Sequence, residues 1–422
     1  MAGGRLRPAI MSAFNQELAR RLAALREQGL YRELRRVDSP QAPHLEVDGQ
    51  ALLNFSSNDY LGLANEPALK EAACQAVQRY GAGAGAARLT CGSLAPHHEL
   101  EEALAAFKGA AAALSFSTGY AAALGAIGAL VGKDDFLILD KLVHACIVDA
   151  ARLAGAKLRI FAHNDTEDLE HILQWAERQV GRPKSTADAS RPRVLVVTES
   201  VFSMDGDQAP LRELVALKEK YGAWLMVDEA HATGLYGPNR RGLAEELGVS
   251  EQIEVQMGTL GKALGAAGGY ICGSRTLIQY LVNRARTFLF STSPVPAAVA
   301  AATAGIRFVQ STAGQQRRNL LWQRVSDLRS ALANQAPGPR PPALAPLRSP
   351  LPGAIIPLLV GDENRAVQIS AALRSRGIFI PAIRYPSVAR GQARLRLTLT
   401  AGHSLADLEQ LLAALRTLDF GA

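Results

Sequence analysis

Apolar runs of strand length recur along this chain at 110–116, 135–139, 158–162, 194–198 and 224–227, with helical or loop stretches between them. Continuous apolar strands are buried on both faces. When helices separate them they imply a mostly parallel sheet covered on both sides. In such a sheet ligands bind beyond the carboxyl ends of the strands. The run 194–198 is followed by Glu199 and the run 224–227 by Asp228. Polar residues just past the strands are therefore the ones to inspect.

The flanking sequence fills in the organisation. The pattern predicts a first helix over 14–34, a β-like stretch over 45–55, a polar turn-rich segment from Ser56 to Gly62, and helices over 66–80 and 96–107. The last of these has an acidic first turn (Glu99, Glu101, Glu102), which suits the helix dipole. Towards the C-terminus come a strand over 354–360, a helix over 365–376 closed by Gly377, and a final helix over 405–415. Between them, 393–401 alternates, with Leu395, Leu397 and Leu399 on one face and Arg394, Arg396, Thr398 and Thr400 on the other. This tail reads as a smaller α+β domain. The expected division is 1–55 as an N-terminal helix and strand segment, 56–292 as a large domain and 293–422 as a small one. Residues 181–193 and the proline-rich 336–352 read as surface loops.

Composition removes other classes. A chain that is 48% hydrophobic is no disordered tail. The net charge of +7 comes from arginines spread thinly, with no basic block interleaved with aromatics, so nucleic acid is not an expected partner. Anionic small substrates or an acidic carrier protein fit a modest positive field better. Cys74, Cys91, Cys146 and Cys272 form no zinc spacing and suit a reducing, cytoplasmic setting. There is no HExxH, and His97–His98 lack ligand spacing, so no metal is expected. The uncharged stretch 109–132 is long enough to span a bilayer. It is alanine- and glycine-rich and broken by Ser115, Ser117, Thr118, Gly119 and Tyr120, so it reads instead as a strand, a polar turn and a buried helix. No membrane partner and no secretion signal are expected. The string Tyr80-Gly-Ala-Gly-Ala-Gly85 follows a helix and has Ala86 where a dinucleotide fingerprint needs glycine. Ser203 lies between Phe202 and Met204 rather than glycines, which excludes a hydrolase elbow.

Two motifs carry chemistry. In Trp224-Leu-Met-Val-Asp228-Glu-Ala-His231 a buried strand delivers an aspartate, with a histidine three residues on. In Gly258-Thr-Leu-Gly-Lys262-Ala-Leu-Gly265 a lysine sits among small and apolar residues, where partial desolvation makes an amine nucleophilic. Alone, Asp228 would pass for a helix cap and Lys262 for a surface lysine. Together they are what pyridoxal 5′-phosphate needs: a lysine for the Schiff base and an acid for the protonated pyridine nitrogen. Ser117-Thr-Gly-Tyr120 opens the helix over 121–130 and offers free amides to a phosphate. His144, just past the run 135–139, is placed to stack on a planar cofactor. Ser203 is placed to hydrogen-bond its phenolic oxygen.

Further stretches point to a family. They are Asn54-Phe-Ser-Ser-Asn-Asp-Tyr-Leu-Gly62, Phe161-Ala-His-Asn-Asp165, Val201-Phe-Ser-Met-Asp-Gly-Asp207, Thr259-Leu-Gly-Lys262, Phe290-Ser-Thr-Ser293, Ala382-Ile-Arg-Tyr-Pro386 and Ala393-Arg-Leu-Arg-Leu-Thr-Leu-Thr400. With the Asp228–His231 motif they resemble the α-oxoamine synthases, fold-type-I pyridoxal-phosphate enzymes, along nearly the whole chain. The resemblance implies an α/β fold: a large domain with a mostly parallel seven-stranded sheet between helices, plus a smaller α+β C-terminal domain. It implies that Lys262 carries the cofactor, Asp228 pairs with the pyridine nitrogen, His231 and Ser203 attend the ring oxygen, and His144 stacks on the ring. Gly119, Tyr120 and Thr259 hold the phosphate, and Ser291 and Thr292 reach the phosphate of a second subunit, so a homodimer with shared sites is expected. Arg396 matches the arginine that holds the amino-acid carboxylate, and Arg32 and Ser387 match substrate-contacting positions.

The implied reaction is a decarboxylative condensation of L-alanine with a pimeloyl thioester, on coenzyme A or acyl carrier protein, as in biotin synthesis. The alternative is glycine C-acetyltransferase, which shares the Gly258–Gly265 string. The stretches starting at Arg286 and Arg394 favour the former. One departure is Asp228-Glu229, where relatives often have paired aspartates. A regulatory protein of related fold would carry a DNA-binding module, and no helix-turn-helix reads before Asn54. An inactive partner subunit would lack the lysine.

Overall fold

The structure is a computed structural model that describes residues 12–180, 192–333 and 353–418. The loop expected over 336–352 lies outside the described residues, as does nearly all of 181–193.

Helix α1 (Ala13–Glu27) starts where the Ser12 hydroxyl accepts the Asn15 amide. It is shorter than the expected 14–34, because the chain turns through Gln28 and the left-handed Gly29. The β-like stretch is likewise two strands, β1 (His44–Val47) and β2 (Gln50–Asn54), paired antiparallel. The intervening Asp48-Gly49 has positive φ at both residues, 51° and 74°, the conformation a two-residue hairpin turn needs. Helices α2 (Pro67–Tyr80) and α3 (Ala95–Lys108) form close to the expected bounds, but α3 starts at Ala95, so its first turn holds no acidic residue and Glu99, Glu101 and Glu102 lie beyond it.

The central sheet is then laid down. Its strands are β3 (Ala112–Phe116), β4 (Phe136–Asp140), β5 (Lys157–Phe161), β6 (Val194–Glu199), β7 (Trp224–Asp228), β8 (Val255–Thr259) and β9 (Gly269–Gly273). Their spatial order is β3-β9-β8-β7-β6-β4-β5. Neighbours are parallel except β9, which runs antiparallel to both β3 and β8. Helices α4 (Gly119–Leu130) and α5 (Ala145–Ala154) pack on one face, with Ile127, Ile147 and Met226 among the buried contacts. On the other face, α6 (Thr166–Val180) and α7 (Leu211–Tyr221) contribute Leu169, Leu173 and Leu214 to a core that continues into the tail. Each such side chain contributes about 1.5–3 kcal/mol on burial.

Two outcomes differ from the sequence reading. Strands β8 and β9 were not legible, since glycines and the buried Gln256 break their apolar runs. The run 158–162, expected to be buried, is the edge strand β5, where Arg159 and Ile160 are exposed.

The tail forms two small sheets. In one, β10 (Ile355–Gly361), β13 (Ala393–Thr398) and β12 (Ala382–Ile383) pair antiparallel, with β13 in the middle. In the other, β11 (Ile378–Phe379) pairs parallel with β2, so the segment before residue 55 is stitched to the tail. Both faces of β13 are buried. Its leucines enter the core, and Arg394 and Arg396 are covered by the loop after β6, whose Met204 and Ser203 carbonyls they reach. Among the described residues no helix is long and apolar enough to cross a membrane, and no group of three His, Cys, Asp or Glu could hold a metal ion.

Candidate active site

The carboxyl ends of β4, β6, β7 and β8 converge with the N-termini of α4 and α5. Lys262, Asp228, Glu199, His144, His231 and Thr259 line one cavity there, with Gly119 and Tyr120 at its edge. A larger cavity, about 770 Å³, opens at the opposite ends of β7 and β8 between Trp224, Val255 and Leu277. No nucleophile or base comparable to Lys262 lines it, so the chemistry is assigned to the smaller one.

Strand direction delivers the groups. Asp228 ends β7 and accepts the Ala230 amide at 2.9 Å. Burial raises its pKa, against the pull of Lys262. Lys262 lies just past β8, with Nζ 3.4 Å from the Thr259 hydroxyl. Burial lowers its pKa, against the pull of Asp228 and Glu199. The amine is thus more available as a base than an exposed lysine.

The turn from β3 into α4 is an anion cradle in form. The Thr118 hydroxyl caps the helix by accepting the Ala121 amide at 3.0 Å, and the first helical amides point outward. Gly119 is required by close approach: a Cβ there would lie 2.5 Å from Thr259 Cγ2. Tyr120 donates its hydroxyl to Asp149 at 2.6 Å.

His144 caps α5. Its Nδ1 accepts the Cys146 amide at 3.2 Å, which leaves the ring proton on Nε2. Burial lowers its pKa and keeps the ring neutral. His231 is buried with Nδ1 2.5 Å from the Tyr60 hydroxyl. Burial, with Lys262 and Arg396 adding to it, holds His231 well below the usual imidazole range. Arg396 donates to Tyr60 Oη (3.4 Å), to Thr398 Oγ1 (3.0 Å) and to the Ser203 carbonyl. Because Arg396 uses the Tyr60 oxygen as an acceptor, the phenol proton is directed to His231.

Ser203 sits on a loop held from two further sides. Asp205 pairs with Arg394, and Asp207 accepts from His163 Nε2 at 2.7 Å while Asp140 accepts from His163 Nδ1 at 2.9 Å. Burial opposes a charge on His163, but these two carboxylates outweigh it and raise its pKa to about 9.

Neither Ser203 nor Arg396 lines this cavity, and the remaining expected residues lie outside it too. Arg32 is exposed and donates to the Tyr385 carbonyl at 2.7 Å, which ties its segment to the loop carrying the exposed Ser387. Ser291 and Thr292 lie beside the buried Arg88–Glu101 ion pair, and Thr292 is exposed. Three residues of the site were given no role from the sequence. Tyr60 lay unremarked inside the Asn54–Gly62 motif, Cys146 read as incidental, and Glu199 was visible only as the acid ending β6.

Comparison with known proteins follows this geometry. The aminotransferase class I and II pattern matches residues 50–415. An 8-amino-7-oxononanoate synthase of Anaeromyxobacter dehalogenans is 47% identical over 394 residues, 93% of each chain. One of Geobacter sulfurreducens is 45% identical over 400 residues, 95% of this chain and 97% of that one. Among solved structures, a serine palmitoyltransferase of S. paucimobilis with a bound pyridoxal-phosphate adduct superposes with a TM-score of 0.84 at 30% identity, covering 96% of this chain and 98% of that one. An 8-amino-7-oxononanoate synthase of Francisella tularensis gives 0.69 at 25% identity, covering 86% and 96%.

Proposed function

Since the chain belongs to the aminotransferase class I and II family, we propose that it joins L-alanine to a pimeloyl thioester, releasing carbon dioxide and free thiol and giving 8-amino-7-oxononanoate for biotin synthesis. It is a pyridoxal-5′-phosphate-dependent acyltransferase. The observation that carries the reading is one buried cavity holding a lysine of lowered basicity, an aspartate at a strand end and the capped N-terminus of α4. The cavity fits the cofactor. Lys262 is the amine to hold it, Asp228 the buried acid for its ring nitrogen, and Gly119, Tyr120 and Thr259 the cradle for its phosphate.

Bound there, pyridoxal phosphate supplies an electron sink conjugated to the amino acid's Cα. The protein's own groups supply the rest. Lys262 Nζ takes the Cα proton and later returns one. Asp228 would pair as the anion with the protonated ring nitrogen. His231, its Nδ1 occupied by Tyr60, offers Nε2–H to an oxygen acceptor, the role in which Ser203 would join it. His144 covers the ring face and offers Nε2–H to the acyl oxygen. Arg396, fixed through three partners, presents its guanidinium to the alanine carboxylate. Arg32 and Ser387 attend the acyl chain. Ser291 and Thr292 serve the phosphate of a second protomer, so the working unit is a homodimer. A cytoplasmic location accords with four unpaired cysteines.

The glycine and acetyl-thioester alternative is not adopted, because the curated relatives above carry the other name. The deciding experiment offers the loaded enzyme alanine, glycine or serine with pimeloyl-coenzyme A, pimeloyl-acyl carrier protein or acetyl-coenzyme A, and follows thiol release. Turnover fastest with alanine and a pimeloyl thioester is expected. Faster release with glycine and acetyl-coenzyme A overturns it.

A further inference from the structure

Glu199 enters none of those roles, yet it stands among the groups that do. It ends β6 as Asp228 ends β7, and the two are direct partners in the parallel ladder. Their side chains therefore leave the same face of the sheet from strands about 4.8 Å apart. Both line the cavity, and both are nearly inaccessible, 2% and 5% exposed. Glu199 Oε1 accepts the His144 amide at 2.5 Å, which fixes the residue that opens α5 and with it the imidazole ring.

We propose that Glu199 is a positioning residue of this site: it holds the proton of a two-carboxyl pair with Asp228, so that Asp228 is the single negative charge facing Lys262, and it anchors His144 over the cavity. The proposal rests on the reading of Lys262 and Asp228 given above.

Charge balance supports it. Among the described residues Lys262 is the one ammonium lining the cavity, and a second bare carboxylate would leave a buried negative charge without a counterion there. Neighbouring carboxylates that cannot both ionise keep one proton between them. The groups facing Glu199 are Asp140 from β4, His144 and Cys146 from α5, Asp228 from β7 and Lys262 from the loop after β8. Burial and then Asp228 push the Glu199 carboxyl well above the usual range, against the His144 amide and Lys262, whereas at Asp228 Lys262 is the leading influence opposing burial. On this proposal the proton stays on Glu199. A neutral carboxyl accepts the His144 amide through its carbonyl oxygen as an amide side chain would.

E199Q tests this directly, since glutamine keeps an oxygen for His144 and cannot ionise. The infrared spectrum of the wild-type protein at neutral pH is expected to show a protonated carboxylic acid band that E199Q lacks, with or without cofactor. In the loaded enzyme, E199Q should leave the pH midpoint of the cofactor's visible absorbance within about 0.3 unit of wild type and kcat within about threefold. E199A, which frees His144, should lower kcat about tenfold with a smaller change in KM. An acid band missing from wild type or persisting in E199Q overturns the proposal. So does a midpoint that falls by about one unit or more in E199Q, because that variant would then have removed a real charge. Should E199A fail to fold, E199Q still decides. A visible band that survives Lys262→Ala would instead refute the reading of Lys262, which the infrared result on unloaded protein does not depend on.

Discussion

Asp228 and Glu229 are neighbours in the chain, and each is buried near a lysine, yet the two pairs behave in opposite ways. Glu229 points away from the cavity. It accepts Lys108 Nζ and the Ala244 amide, and Lys108 also donates to the Arg241 carbonyl. Burial pushes the Lys108 amine down, but contact with Glu229 outweighs it and the pKa rises. Asp228 and Lys262 have no such contact, so burial dominates both: the acid is raised and the amine lowered. One residue of register turns a side chain to the other face of the sheet. Here that step separates a closed ion pair, which clamps α3 to the end of β7, from an open one whose members do not touch. A buried lysine and a buried acid are therefore no signature of reactivity by themselves; the two pairs differ in whether lysine and acid touch.

Variants can break or sharpen this contrast. Lys262→Ala is expected to have the largest effect, lowering turnover about 10⁴-fold or more and abolishing the cofactor's visible band, because among the described residues no second amine lines the cavity. Thiol release with alanine and pimeloyl-coenzyme A measures it. Lys108→Met should leave the visible band of folded protein intact and cost about 3–5 kcal/mol of stability, read as a lower urea midpoint, because it strands the Glu229 carboxylate. Equal loss of turnover from Lys108→Met and Lys262→Ala at full folding would erase the distinction. Asp228→Asn is expected to lower kcat about 100-fold with little change in the urea midpoint, since an open pair contributes to chemistry more than to stability.

The smallest effect concerns His163, where contact again beats burial. Its pKa is raised to about 9, so its contribution to stability is complete below the ordinary imidazole value near 6.5 and is lost as pH rises through 9. The melting temperature of wild type should fall more between pH 7 and pH 9.5 than that of His163→Gln. Parallel curves would deny the clamp any role.

This contrast also marks how far sequence reading reached. The parallel sheet followed from uninterrupted apolar runs, Asp228 from its position past a strand, and Lys262 from the small and apolar residues around it. Strands β8 and β9 escaped because Gly258, Gly269 and Gly273 leave too little apolar side chain to form a run, although the sheet buries them as firmly as the rest. The hairpin at Asp48-Gly49 was a readable turn dipeptide that a continuous β-like stretch concealed. Glu199 could not be told from any acid after a strand until register set it beside Asp228. The burial of Arg394 and Arg396 was equally out of reach, because alternation gives a strand's two faces and not what covers them.

The pairing of β2 with β11 has a consequence for how such a chain is made. Tyr60, which steers the His231 proton, hangs from a segment whose backbone is secured by the tail: Thr398 donates to the Phe55 carbonyl and Ala401 to that of Tyr60. Arg32 meets Tyr385 at a separation of 353 positions along the chain. On the ribosome, Lys262 and Asp228 emerge and can be folded into their sheet while the strands that seat Tyr60 and supply Arg396 are still untranslated. The nascent chain thus has the half that carries Asp228 and Lys262 before the half that carries Arg396. The longest-range contacts of the fold, the slowest kind to form, are the ones that complete it.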